Sequence, residues 1–233
     1  MPSASALRDA VGVEPVVLEG SHVRLEPLRP EHGLALARAA AGPRDTYAFT
    51  LVPGDEREAA AYIDTALREQ AAGRALPFAT VARATGRVVG STRFGNIEFW
   101  PWPAGNPHQR GAELPDAVEI GWTWLTAEAQ RTAINTEAKL LMLTHAFEGW
   151  RVHRVTLQTD ERNARSRAAI SRLGARFDGV LRAARPASDG GIRDTAVYSI
   201  LEGEWPAVKA TLGARLAAGA AGAAAGAGPS TNH

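Results

Sequence analysis

The stretch from Val118 to Asn135, V-E-I-G-W-T-W-L-T-A-E-A-Q-R-T-A-I-N, carries the strongest chemical signal in the chain. A strand-like run leads through a compact loop into the helical segment T-E-A-K-L-L-M-L-T-H-A-F-E. The first backbone N–H groups of a helix lack partners, and the helix dipole adds positive character there, so an anion can be held without any lysine. That fits a chain whose only lysines are Lys139 and Lys209. Other chemistries are excluded by motif. The chain has no G-x-G-x-x-G, P-loop, G-x-S-x-G or H-E-x-x-H segment. Zero Cys removes disulfides, thiolate metal sites and a cysteine nucleophile together. The six His, at 22, 32, 108, 145, 153 and 233, show no metal-ligand spacing, so no metal is expected.

The elements that must position this stretch follow from periodicity. Val23, Leu25 and Pro27 alternate with Arg24 and Glu26 as a half-buried strand does. Helices are expected over Glu31–Ala41 and Asp55–Ala72, then a hairpin of Phe78–Arg83 and Val88–Phe94 about Thr85-Gly86. Next come strand Val118–Leu125, helix Asn135–Trp150, strand Val152–Thr159 and helix Ala164–Leu173, which Gly174 ends. Phe177–Ala184 and Thr195–Leu201 close the pattern as two strands about Ser188–Gly191, and Glu204–Leu216 reads as a terminal helix. Antiparallel pairs early and a strand–helix–strand crossover late imply an α+β fold with one mixed sheet and helices on both faces.

The 233 residues allow one domain or two small ones. Residues 1–13 and the Ala/Gly-rich 213–233 lack large apolar side chains and read as disordered tails, which leaves 14–212 as a single domain. With 26 basic against 25 acidic residues, the net charge of +1 creates no field for nucleic acid. No signal peptide and no strongly apolar window long enough to span a bilayer are visible, so no membrane partner and a cytoplasmic address are expected.

Strand 118–125, the loop Gln130-Arg131-Thr132-Ala133-Ile134-Asn135 and the helix behind it resemble the acetyl-CoA-binding core of GCN5-related N-acetyltransferases (GNATs). The strand V-T-L-Q-T-D and the segment N-A-R-S-R-A-A-I-S-R-L-G-A resemble the ribosomal-protein N-terminal acetyltransferase branch. So do the opening L-E-G-S-H-V-R-L-E-P-L and the closing R-D-T-A-V-Y-S-I, and the likeness spans Leu18 to Trp205. It implies a mostly antiparallel sheet with splayed central strands. It also implies acetyl transfer from acetyl-CoA to a primary amine, on a protein N-terminus or a small molecule.

The resemblance further implies roles. Pantetheine pairs with the backbone of Trp122, Thr123, Trp124 and Leu125. The pyrophosphate rests on the loop from Gln130 and Arg131 through Thr132, Ala133, Ile134, Asn135 and Thr136. Asn163 holds the pantetheine amide, and Ser166 donates to the leaving thiolate, because Ile170 stands where many relatives carry Tyr. Asn163 and Ser166 also fit a plain helix cap. Glu119 is the expected base for the amine, or else pairs with an Arg. Tyr198 polarises the acceptor or packs. Trp122 and Trp124 read as core rather than acceptor wall.

Ala133 and Asn135 occupy the two positions where the family loop commonly has Gly. Glu137 follows in the first helical turn, near the expected phosphate. The Pro/Gly-rich segment Trp100–Ala117 reads as acceptor-site rim, dimer contact or insertion. Two other readings compete: a CoA-binding sensor with weak catalysis, and a transferase using another acyl donor.

Overall fold

The computed structural model describes residues 13–226 apart from 112. Strands β1 (Leu18–Glu19) and β2 (Val23–Pro27) precede helices α1 (Gly33–Ala40) and α2 (Glu56–Ala71). Strands β3 (Leu76–Ala82), β4 (Arg87–Glu98) and β5 (Ala117–Leu125) follow, then helix α3 (Ala133–Thr144), which runs into a π-helical turn over His145–Trp150. Strand β6 (Arg154–Asp160), helix α4 (Ala164–Arg172), strands β7 (Arg176–Pro186) and β8 (Ile192–Leu201), and helix α5 (Trp205–Gly226) complete the chain. The α+β reading holds.

The eight strands form one sheet in the order β1-β2-β3-β4-β5-β6-β8-β7. Every neighbouring pair is antiparallel except β5–β6. A parallel pair needs a crossover, and α3 supplies it. The β5–β6 register runs Ala117↔Arg154, Val118↔Val155, Glu119↔Thr156 and then stops, although both strands continue. Beyond that pair the strands diverge, so Ile120–Leu125 present a strand edge unpaired on the β6 side.

Each face of the sheet has its own core. Leu36 and Ala40 of α1 and Ala59, Ile63 and Ala66 of α2 pack with Tyr47, Ala79 and Trp124. Asp55 caps α2 by accepting from the Glu58 amide at 2.7 Å, which fixes where that apolar stripe begins. On the other face, Met142 and Leu143 of α3, Ile170 of α4 and Leu212 of α5 pack on Val118, Ile120, Val155, Leu157 and Ile200. Adjacent residues of β5 and β6 therefore point to opposite layers.

Helix α5 continues past the domain end expected at 212. Leu212 is fully buried, and Arg215 reaches the carbonyl of Arg172. Residues 217–219 are exposed yet helical. Alanine has the highest helix propensity, so the Ala-rich run extends a docked helix without needing a core of its own. Residues 227–233 and 1–12 lie outside the described residues, while Val13 packs partly against the core.

The 100–117 segment folds back on the closed end of the β5–β6 pair. Asp116 accepts from the Trp100 amide at 2.7 Å and from Trp102 Nε1 at 2.6 Å, and Trp100 stacks on His153 at 5.7 Å. Among the described residues no helix is long and apolar enough to cross a membrane.

Candidate functional site

Glu119 makes the last pairing contact before β5 and β6 part. Val118 and Ile120 turn into the α3-side core, so Glu119 points to the opposite layer. It is only 3% exposed. Asn96 Nδ2 donates to its Oε2 at 2.6 Å, from a backbone held at φ +45°. A side chain at Gly121 would stand 3.0 Å from Oε1, so the glycine keeps that approach open. Burial pushes the Glu119 carboxyl above its usual range, against the opposing pull of the Arg185 charge, the Asn96 hydrogen bond and the Arg193 charge. A carboxylate raised in this way suits proton abstraction near neutral pH.

A bulge follows. Register shifts between Ser91 and Arg93, and Trp122 takes φ +50°, so Gly121 and Trp122 fall on one face. The Trp122 ring lies over Gly95, where a methyl group would overlap it, and is 38% exposed. Trp122 is therefore not core, contrary to the expectation from alternation. Trp124 is core, edge-on to Tyr47 at 6.3 Å. The Arg93 guanidinium lies 5.1 Å from the centroids of both the Tyr62 and Trp122 rings.

Thr123 turns to the α3 side, where Lys139 is buried. Lys139 Nζ donates to Thr123 Oγ1 at 2.6 Å and Thr92 Oγ1 at 2.9 Å, with no carboxylate in the set. Burial lowers the lysine to about 7. Both hydroxyls lie 3.3 Å from the Gly121 carbonyl, Thr92 from β4 and Thr123 from β5 itself. In the trans peptide the Trp122 N–H points away from that carbonyl. A fixed N–H of this kind can stabilise charge developing on a carbonyl oxygen.

At the far end of β5, Gln130 Nε2 donates to the Leu125 carbonyl at 2.9 Å and ties the loop to the strand. The left-handed residue of the loop is Arg131, at φ +61°. Ala133 and Asn135 are the first and third residues of α3, in ordinary helical conformation, so neither position requires glycine. Thr132 caps α3 by accepting from the Ile134 amide. The Arg131, Thr132 and Ala133 amides donate to no protein group among the described residues. Thr136 lies in the same first turn. Glu137 does not face that end. Its carboxylate accepts from the amides of Ser21, His22 and Val23 at 2.8, 2.6 and 2.8 Å, holding the β1–β2 turn.

Across the gap, Asn163 caps α4, its Oδ1 accepting from the Ser166 amide at 3.0 Å, and the Ser166 hydroxyl has no protein partner among the described residues. Arg165 bridges the two sides, donating to Gln130 Oε1 at 3.3 Å and the Thr46 carbonyl at 2.8 Å. Tyr198 is not brought to Glu119. It is buried on the α4 side of β8 against Phe177, with its hydroxyl accepting from Arg167 Nε at 3.1 Å. Asn96, Lys139, Arg93, Arg185 and Arg193 were not singled out from sequence. Of these, only Lys139 left a signal, as the one basic residue of the α3 run. Among the described residues no cluster of three or more His, Cys, Asp or Glu could hold a metal ion.

A family model described as an acetyltransferase (GNAT) domain matches residues 22–176. A GCN5-related N-acetyltransferase from Brucella melitensis is 29% identical, with a TM-score of 0.75 over 88% of this chain and 87% of that one. A structure assigned as an acetyltransferase from T. thermophilus is 35% identical, with a TM-score of 0.70 over 88% and 98%. RimJ of Mycobacterium smegmatis, solved in complex with CoA-disulfide, shares the fold at 24% identity, with a TM-score of 0.67 over 87% and 93%. No curated protein gives a significant match.

Proposed function

Because the chain belongs to the GNAT acetyltransferase family, we propose that it transfers acetyl from acetyl-CoA to a primary amine by direct attack. The observation that carries this reading is the end of β5–β6 pairing at Glu119↔Thr156, which leaves the edge of Ile120–Leu125 open beside a buried carboxylate.

The residues present suit the co-substrate. The backbone of Trp122–Leu125 offers pantetheine a strand to pair with. The unpartnered amides of Arg131, Thr132 and Ala133 suit the pyrophosphate, and Glu137, a carboxylate that would oppose it, is turned away. RimJ of M. smegmatis, with the same fold, was solved with CoA-disulfide. Asn163 keeps its amide NH₂ for the pantetheine while its oxygen caps α4.

In the reaction a neutral amine nitrogen bonds to the acetyl carbonyl carbon and the carbon–sulfur bond breaks. Glu119 takes the amine proton, directly or through water. The Trp122 N–H supports the carbonyl oxygen, and the Ser166 hydroxyl donates to the departing sulfur. The acceptor is a protein N-terminus or a small-molecule amine, and the ribosomal-protein branch rests on the N-A-R-S segment and the opening motif. Thiol release from acetyl-CoA across a panel of amines tests the proposal. Amine-dependent release with acetylated product supports it; saturable CoA binding without turnover would make the protein a sensor.

A further inference from the structure

Two arginines face each other on the Glu119 layer, neither in an ion pair of its own. The β7–β8 register sets Arg185 directly opposite Arg193, an arrangement that like charges disfavour. Both are half-buried. Arg185 Nη2 donates to Gln158 Oε1 at 2.9 Å and Arg193 Nε donates to Thr195 Oγ1 at 3.0 Å, both neutral partners. Neither forms an ion pair among the described residues. Asp160, the nearby alternative, is engaged by Arg162 through Nε at 2.9 Å and Nη2 at 2.8 Å.

Their position is the acceptor side. Val155 and Leu157 of β6 and Ala196, Tyr198 and Ile200 of β8 enter the α3-side core, so Gln158, Arg193 and Thr195 lie on the Glu119 layer. Both charges act on Glu119, and Arg193 is itself held below its usual value by burial and by Arg185, against the pull of Asp160 and Glu119. Beyond Glu119, Arg93 is 5% exposed, its Nε has no partner, and it too lacks an ion pair. One carboxyl that burial biases toward neutrality thus stands among three unpaired guanidiniums.

We propose that the acceptor carries a carboxylate a few bonds from the amine that is acetylated, and that Arg185 and Arg193 bind it. The proposal rests on the acyl-transfer reading above. A guanidinium pair offers the planar, forked donors that a carboxylate matches. The amine then lies against Glu119 while the carboxylate relieves the repulsion between the arginines. Polycationic amines are disfavoured by the same field.

The test compares free amino acids with their carboxamides, and peptides beginning with Glu with those beginning with Gln, using spermidine as the cationic control. Wild type is expected to favour the carboxylate member of at least one pair by tenfold or more in kcat/KM. A free amino acid assigns the α-carboxylate, and a Glu peptide assigns an acidic side chain. Arg185→Gln/Arg193→Gln should lower that preference at least tenfold, and the double Lys variant should retain part of it; stabilisation by CoA verifies that both remain folded. Equal turnover of acid and amide, or spermidine as the best acceptor, overturns the proposal. If no amine is acetylated, the acyl-transfer reading fails by itself, and the arginine pair is read by melting temperature with CoA present. N-acetylated amino acids should then stabilise wild type more than their amides do, with that difference lost in the Gln double variant; no difference in wild type overturns the carboxylate site.

Discussion

Asn96 Nδ2 sits 2.6 Å from Glu119 Oε2, joining a left-handed residue of β4 to the carboxylate where β5 and β6 part. The bond favours the ionised form, whereas burial, the larger influence, favours the neutral one. Asn96→Ala should therefore raise the carboxyl further. The acidic limb of the kcat/KM profile should move to higher pH, with CoA affinity unchanged. An unmoved limb would separate Asn96 from the proton transfer.

Ala133→Pro tests the proposed phosphate contact. Ala133 is the first residue of α3, and Thr132 before it is extended at φ −105° and ψ 179°, both compatible with proline at that position. The variant should fold with an unchanged melting temperature and lose one amide donor. CoA affinity measured calorimetrically should fall about tenfold, or ~1.4 kcal/mol. Full affinity in the folded variant would put the pyrophosphate elsewhere.

Lys139 should make stability pH-dependent on the alkaline side. Its folded value, about 7, lies below the unfolded one, so between them the unfolded chain binds the extra proton. Stability relative to Lys139→Met should rise with pH from about 7 to about 10.5, by up to ~1.4 kcal/mol per unit, and flatten below 7. Urea unfolding of both proteins across that range checks it. A constant difference would mean that Lys139 keeps an ordinary affinity for its proton.

The end of the chain divides at Leu216. Removing residues 218–233 should change stability by less than about 0.5 kcal/mol, since Ala218 and Gly219 are exposed. Leu212→Ala should cost about 2–5 kcal/mol, because Leu212 is fully buried in the larger core. Thermal unfolding separates the two.

Much of the fold was legible because the strand alternation of V-E-I-G-W-T-W-L and the apolar run behind it obey local periodicity. The cap at Asn163 was visible from residue type and position, whereas α3 begins at Ala133, two residues before the expected Asn135. What stayed hidden depends on register. A bulge at Trp122 changes which residues share a face, and nothing local to the sequence marks it. Arg185 and Arg193 reach Glu119 only through β6–β8 and β7–β8 pairing, between segments distant along the chain. Which of its two readings Tyr198 takes, acceptor contact or packing, depends on the layer it faces, and its pairing with Leu157 sets that layer. The Ala-rich end was read from its lack of core side chains, although helix propensity alone extends α5.

The pH–rate profile of Glu119→Gln, with a working amine and saturating acetyl-CoA, tests whether Glu119 takes the amine proton. The substitution keeps size and the contact with Asn96 while removing the proton acceptor. The rate at neutral pH should fall about 10²–10⁴-fold and recover in part at high pH, where the amine is already neutral. The folded protein should also become more stable than wild type at neutral pH. That advantage should fade as pH drops through the raised carboxyl value toward the ordinary carboxylate range, where wild type is protonated in both states. A wild-type profile in the variant would remove Glu119 from the proton transfer and leave ordered water to take the proton.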